Sequence, residues 1–164
     1  MVWLSYAGLM ITFLPVVLKA QNSVSLSISN NVAMTFIPPI RTGNPFEPVT
    51  DNSKWLNYNI TVTPPAPTVS ITARIESGMI PQGVEIQIQA GSYQGSGGGS
   101  PGIPAGLITL SSIPQVIISN IGTCNTGSGP NVGHQLTYRM NITNYSAAQA
   151  SFANLNLLFA IVNQ

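Results

Sequence analysis

Apolar and polar side chains alternate with a period of two along most of the chain. In the run 56–62, for example, the apolar residues at 56, 58, 60 and 62 are separated by asparagine and threonine. Successive side chains of a β-strand point to opposite faces, so this period predicts strands with one face in a core and the other in water. The same pattern recurs at 24–29, 69–75, 84–90, 136–142 and 155–161, and less regular apolar runs at 32–37, 107–110 and 116–121 predict more deeply buried strands.

Proline and glycine interrupt the chain between these runs, as at Pro38-Pro39, Pro64-Pro65 and Gly127-Ser128-Gly129-Pro130. No stretch after residue 20 combines a helical apolar stripe with helix caps. About eight or nine short strands with frequent turns indicate an antiparallel sandwich or barrel. We therefore predict an all-β protein, an immunoglobulin-like antiparallel β-sandwich, in which residues 21–164 form a single domain.

The first twenty residues have the pattern of an export signal. The stretch from Val2 to Leu18 is uncharged and mostly apolar, and Lys19-Ala20 then precedes Gln21. This predicts a signal peptide of residues 1–20 that is cleaved after Ala20. The alternative is an uncleaved membrane anchor, for which the apolar run is at the short end. Cleavage would leave a secreted or cell-surface protein with no stable membrane span.

Charged residues make up only 5% of the chain, against about a quarter in a typical soluble domain. After removal of Lys19 with the signal peptide, four basic and four acidic side chains balance. No basic stripe is available to neutralise phosphates, so we expect no nucleic-acid partner. Near-zero net charge also removes the repulsion that keeps soluble proteins apart, which favours self-association in an assembly or on a surface.

The sequence contains no constellation of residues that is typical of an enzyme. The glycine-rich segment 91–106 matches the spacing of a dinucleotide fingerprint, but prolines and a strand follow it where a phosphate site needs a helix, so we expect a flexible hairpin loop and no cofactor. His134 is the only histidine and lies before a predicted strand, with no nucleophile pattern nearby. The scattered carboxylates form no ligand cluster for a metal. We predict no catalytic, cofactor-binding or metal-binding residues.

Cys124 is the only cysteine, so it has no internal disulfide partner. It lies in a loop-like stretch, Gly122 to Gly127, and we expect it to be accessible. The main interpretation is a tolerated free thiol whose replacement by serine leaves the fold intact. The alternative is an intermolecular disulfide through Cys124.

The first segment of the mature chain lacks the features that protect a sheet edge. Val24, Leu26 and Ile28 alternate with serines, and the segment contains no charge and no proline. Soluble monomers usually protect their edge strands with such residues. Two alternatives follow: the segment pairs within its own sheet, or it is donated as an intersubunit strand whose alternate side chains fill pockets of a neighbouring copy.

Turn and strand motifs in the second half carry a resemblance to a known group of proteins. They are Ile113-Pro114-Gln115-Val116-Ile117-Ile118, Ile121-Gly122-Thr123-Cys124, Gly127-Ser128-Gly129, Gly133-His134-Gln135-Leu136-Thr137-Tyr138, Ile142-Thr143-Asn144-Tyr145 and Ile161-Val162-Asn163-Gln164. Over residues 55–164 the chain resembles small exported bacterial β-sandwich proteins of uncharacterised function, similar in character to fimbrial or spore-coat-like subunits. The resemblance implies a structural role at the cell surface. It carries over no binding residue, and the paired cysteines common in fimbrial subunits are absent.

Two functional hypotheses follow from these features. The first is a secreted or cell-surface structural subunit, of a filament or a coat. The second is a monomeric secreted binding module for a glycan or a protein. The size of the protein in solution separates the two.

Overall fold

A computed structural model describes residues 22–27, 32–37, 41, 43–63, 68–148 and 154–164. All secondary structure in these residues is β, which confirms the predicted all-β class. No helix among them is long and apolar enough to cross a membrane. The predicted signal peptide, residues 1–20, lies outside the described residues. The strands are β1 (Ser23–Ser27), β2 (Val49–Ile60), β3 (Val69–Ser77), β4 (Val84–Gln94), β5 (Ile103–Pro104), β6 (Ile108–Thr109), β7 (Gln115–Ile121), β8 (Cys124–Asn125), β9 (Gly133–Ile142) and β10 (Asn156–Asn163).

The strands form two antiparallel sheets. Sheet A has the order β1-β2-β9-β4-β6, and β8 also pairs with β2. Sheet B has the order β10-β3-β7-β5. Most neighbouring strands are distant in sequence, so the connections cross repeatedly from one sheet to the other.

The apolar residues of the alternating runs line the core, but the polar residues between them do not all face water as predicted: Asn57 of β2 and Ser70 and Thr72 of β3 are buried as well. Leu56, Tyr58 and Ile60 of β2 are buried, as are Val69, Ile71 and Ala73 of β3, Ile88 and Ala90 of β4, and Leu136 and Tyr138 of β9. They belong to one apolar cluster to which both sheets contribute. At about 25 cal/mol per Å² of apolar surface buried, this shared cluster is the main favourable term that holds the two sheets together.

One predicted strand is absent, and β2 is longer than predicted. Residues 32–37 alternate between half-buried and exposed, and Val32 and Met34 pack against the core, but no described strand pairs with them. The prediction of a more deeply buried strand at 32–37 was therefore wrong: the segment is half-buried on one side only and forms no strand. Strand β2 begins at Val49 because its first half pairs with β9 around a bulge between Asp51 and Lys54, which the alternation at 56–62 does not predict.

Candidate functional site

His134 lies at the centre of a buried polar cluster. The sequence predicted that it would lie just before a strand, but it is part of one. It is the second residue of β9, and its side chain has no exposed surface. Its Nδ1 lies 2.8 Å from the carbonyl oxygen of Gly91, and its Nε2 lies 2.8 Å from the hydroxyl oxygen of Tyr58. The ring stacks on Tyr58 with a centroid distance of 5.7 Å, and Tyr93 lies 5.8 Å away on centroids. We call Tyr58, Tyr93, Cys124 and His134 the tyrosine–histidine cluster.

The hydrogen bonds of this cluster determine which nitrogen of His134 carries a proton. A carbonyl oxygen only accepts, so Nδ1 donates to Gly91. In the neutral ring Nε2 is therefore the acceptor, and it faces the Tyr58 hydroxyl. The same hydroxyl also lies within hydrogen-bonding reach of the Pro101 carbonyl, so its single proton can be donated either to that oxygen or to Nε2.

Burial shifts the pKa values of His134, Tyr58 and Cys124 in the direction that favours their uncharged forms. It lowers the pKa of His134, and the carbonyls of Gly91 and Pro101 raise that pKa without offsetting the burial. Burial also raises the pKa of Tyr58, to which nearby Cys124 and Tyr93 add, and it raises the pKa of the Cys124 thiol. A nucleophilic thiolate needs the opposite shift. The cluster is therefore suited to holding strands together by hydrogen bonds and stacking.

The glycine-rich segment covers this cluster as a strap, which we define as Gly95–Gly102. The amide of Asn125 donates to Gly98, the amide of Ser100 donates to Thr123, and the amide of Gly122 donates to Ser100. The Tyr58 hydroxyl of the cluster contacts the carbonyl oxygen of Pro101 in the strap. The predicted flexible loop is thus replaced by a segment that is tied along its length to residues 122–125.

Glycine is required in the strap because the strap lies directly against the backbone of its neighbour. A Cβ at Gly97 would stand 2.1 Å from the carbonyl oxygen of Asn125, and one at Gly99 would stand 2.1 Å from that of Thr123. Gly98, between them, has open space around its Cα. The glycine run therefore serves the close packing of two chain segments.

Cys124 is not in an accessible loop, contrary to the prediction from the sequence. It forms β8 with Asn125, pairs with Ile60 of β2, and bridges to Gly99 of the strap. Its side chain is only 5% exposed. The sequence could not show this, because a two-residue strand has no detectable period. An intermolecular disulfide through Cys124 stays a prediction, and in this arrangement the strap would have to move for it to form.

An open cavity of about 290 Å³ lies beside the cluster, where β1, β2 and β8 meet. Its lining is polar and contains no charged residue: Ser23, Tyr58, Asn59, Asn125, Gly127 and Ser128. Hydroxyl and amide groups can both donate and accept hydrogen bonds, so the cavity suits an uncharged polar ligand. Within the described residues, no group of three or more histidine, cysteine or carboxylate side chains could hold a metal ion.

The residues predicted for an intersubunit strand lie partly in the described region. Val24 is in β1, is half-buried, and packs against the core. Leu26 is also in β1, whose register pairs it with Leu56 of β2. Ile28 lies outside the described residues. In this single chain β1 thus pairs within its own sheet, at the outer edge of sheet A.

Comparison with known proteins adds no relative. No protein-family description, no curated protein and no solved structure matches this chain. The cluster, the strap and the sheet edges are therefore interpreted from their geometry. Of the four cluster residues, the sequence singled out His134 and Cys124. Tyr58 was interpreted as a core residue of an alternating strand, and Tyr93 lies in a segment that was expected to be a loop.

Proposed function

We propose that this protein is an exported structural subunit of a surface filament or coat, and that it has no enzymatic activity. The observation that carries the proposal is the character of its sheet edges. In the described region the longer edge strand of sheet A is β1 and that of sheet B is β10, and neither contains a charged residue or a proline. Unprotected edges of this kind pair readily with other strands.

The charge of the whole chain supports the same proposal. Residues 21–164 carry four basic and four acidic side chains, so copies do not repel one another at neutral pH. Tyr58, Cys124 and His134 of the tyrosine–histidine cluster are buried, which supports a structural role for the cluster.

Strand β1 is the proposed link between copies. It is short, lies at the edge, and has β2 as its only strand partner in the described region. Donation would move the segment that contains Val24, Leu26 and Ile28 from the subunit's own β2 to the β2 of a neighbour, with the register of β1 on β2 kept. Exchange of an identical element between copies has a low thermodynamic cost because the contacts are conserved.

Deletion of residues 21–30 tests this link. If β1 is donated, the truncated protein stays folded in thermal melts but fails to form filaments in electron microscopy. A peptide of residues 21–30 then raises its melting temperature. A control peptide with asparagine at the positions of Val24 and Leu26 has little effect. A truncated protein that is unfolded at every concentration, with or without peptide, would instead make β1 an ordinary internal strand.

Export is part of the proposal and has its own test. The secreted protein is expected to begin at Gln21, which mass spectrometry of the protein from cells and medium measures. A surface or secreted protein that retains Met1 would contradict cleavage after Ala20.

The polar cavity favours a second candidate function, a monomeric secreted binding module. Its hydroxyl and amide lining can exchange hydrogen bonds with the hydroxyl groups of a glycan. Under this alternative the protein sediments as a monomer at all concentrations and binds a glycan on an array, and Asn59→Ala weakens that binding. A polymerising protein without glycan binding supports the first function.

The type of sandwich belongs to the proposal as well. In the predicted immunoglobulin-like type, the first, second, fourth and fifth strands lie in one sheet and the third, sixth and seventh lie in the other. From β2 to β7 consecutive strands alternate between sheets A and B, which is the pattern of a jelly roll built from two Greek keys. The strand order therefore supports a jelly-roll sandwich over the immunoglobulin-like type.

A further inference from the structure

We infer that β10 is a contact surface for a second copy of this chain, in which two β10 strands pair antiparallel about a twofold axis and join two B sheets into one. The inference rests on the proposed function, since it names a contact through which copies associate. It concerns β10, the edge strand of sheet B, and not β1, the edge strand of sheet A.

The register of β10 shows which backbone groups face its free edge. The amide of Gln164 donates to the carbonyl of Thr68, and the strand pairs in antiparallel register with β3 from there to Leu157. In an antiparallel ladder alternate residues direct both backbone groups to the same neighbour. The even-numbered residues therefore bond to β3, and the backbone groups of Leu157, Phe159, Ile161 and Asn163 point away from it. No described strand pairs with β10 on that side.

The side chains of β10 are compatible with a copy of themselves. We place the twofold axis between the two copies of Ala160. Phe159 then faces Ile161 of the partner subunit, and the outward N–H and C=O groups of these two residues bond to each other. On the outer face, Leu158 faces Val162 of the partner subunit. These two side chains are 38% and 39% exposed in the single chain. The pairing covers them, which removes apolar surface from water.

The absence of charge indicates which occupant fits this edge. Strand β10 has no charged residue, so it does not select a partner of opposite charge, and two copies brought together meet no repulsion. The other edge strand of sheet B is unsuitable, because β5 has only two residues and one is Pro104, which lacks an N–H. Strand β10 is the edge of sheet B at which pairing can extend over several residues.

A contact of this kind closes at two copies. A twofold contact uses the same surface on both chains and leaves no free copy of that surface for a third. Pairing through β10 thus produces dimers, whereas donation of β1 can continue from copy to copy.

Disulfide trapping tests the register. In the Ala160-centred arrangement each Ala160 lies opposite its own equivalent, at a non-hydrogen-bonded position with Cα atoms about 4.5 Å apart, within the range that a disulfide spans. Ala160→Cys is expected to form a disulfide-linked dimer under mild oxidation. Leu158→Cys is the matched control. Position 158 of one chain lies about four residues along the strand from position 158 of the partner subunit, so these two cysteines do not cross-link. Wild-type protein in the same buffer controls for Cys124.

A charge on the edge tests the contact without a cross-link. Val162→Lys is expected to weaken dimer formation at least about tenfold in sedimentation equilibrium, because each introduced lysine replaces an apolar contact with Leu158 of the partner subunit, which lies beside Arg74 of its own β3. Val116→Lys is the control, since Val116 is 40% exposed in β7, a strand of the same sheet that β3 separates from β10. Thermal melts of both variants verify that they fold.

The outcomes separate this inference from the proposed function. Assembly that persists in Val162→Lys, together with no cross-linking of Ala160→Cys, overturns the β10 contact and leaves assembly through β1 standing. A wild-type protein that stays monomeric at high concentration overturns both. Cross-linking of Ala160→Cys but not of Leu158→Cys, with weakened association of Val162→Lys, supports the β10 contact.

Discussion

At the scale of a single residue, folding transfers the imidazole of His134 from water to a buried site, where its partners are the Gly91 carbonyl and the Tyr58 hydroxyl. The protonation of His134 is therefore coupled to folding. Its imidazole has no exposed surface, and burial lowers its pKa below the ordinary value of about 6.5. The unfolded chain therefore takes up a proton on His134 at a higher pH than the folded chain does. Neutral His134 thus stabilises the fold relative to charged His134.

This shift predicts how stability depends on pH. The full contribution is present above about pH 6.5, and the free energy of unfolding falls by up to about 1.4 kcal/mol per pH unit as the pH drops below that value towards the folded-state pKa. Urea melts between about pH 5 and pH 7 measure the slope. His134 is the only histidine, so His134→Gln should remove the slope in this window. A slope that persists in the variant would assign the effect to other groups.

Burial of Cys124 reverses the expected effect of a serine substitution. An accessible thiol would tolerate serine, but at a buried site the hydroxyl is left without its water and costs about 1–3 kcal/mol unless it finds a partner. We therefore expect Cys124→Ser to lower the free energy of unfolding by about this amount. Cys124→Ala is the control that removes the sulfur without adding a polar group. Rapid labelling of the native thiol by a soluble reagent, with no loss of stability in Cys124→Ser, would contradict the buried position.

At the scale of elements, the strap shows that a glycine run can be an ordered structural element. Residues 95–102 lie against the backbone of residues 122–125, and they close the tyrosine–histidine cluster from one side. Backbone hydrogen bonds, which any sequence could form, hold the strap in place. The strap can come close enough to form them only because its glycines have no Cβ atoms.

Alanine substitution separates close approach from flexibility in the strap. Gly97→Ala places a Cβ against the Asn125 carbonyl and should lower the free energy of unfolding by about 1–3 kcal/mol, the usual cost of overpacking. Gly98→Ala is the neighbouring control, with nothing within 4 Å of its Cβ, and should change stability by less than about 1 kcal/mol. Thermal or urea melts of both variants make the comparison. Equal effects at the two positions would mean that the strap does not pack as described.

At the scale of the whole molecule, low charge should make assembly insensitive to salt. The proposed contacts at β1 and β10 consist of backbone hydrogen bonds and apolar side chains, and no charged residue lies in either strand. Raising sodium chloride from about 0.05 M to 0.5 M shortens the range of charge interactions, yet the association constant should change by less than about threefold. Sedimentation across this range at pH 7 measures it. A large loss of association in high salt would indicate contacts between charged surfaces instead.

The sequence by itself determined the local conformation of most of this protein. A period of two is a property of neighbouring residues, so the alternation alone assigns Leu56, Ile71, Ile88 and Leu136 to strands and to their inward faces. The near absence of charge and of ligand clusters is equally readable from composition.

The tertiary structure decided which strands pair, and with that the candidate site. Alternation states that a strand has two faces but not which strand lies beside it, because every inward apolar face is chemically similar to the others. Tyr58 and His134 are 76 residues apart in sequence and meet only because β2 pairs with β9. Cys124 was misplaced for the same reason: its burial depends on Ile60 and Gly99, which no local pattern connects to it.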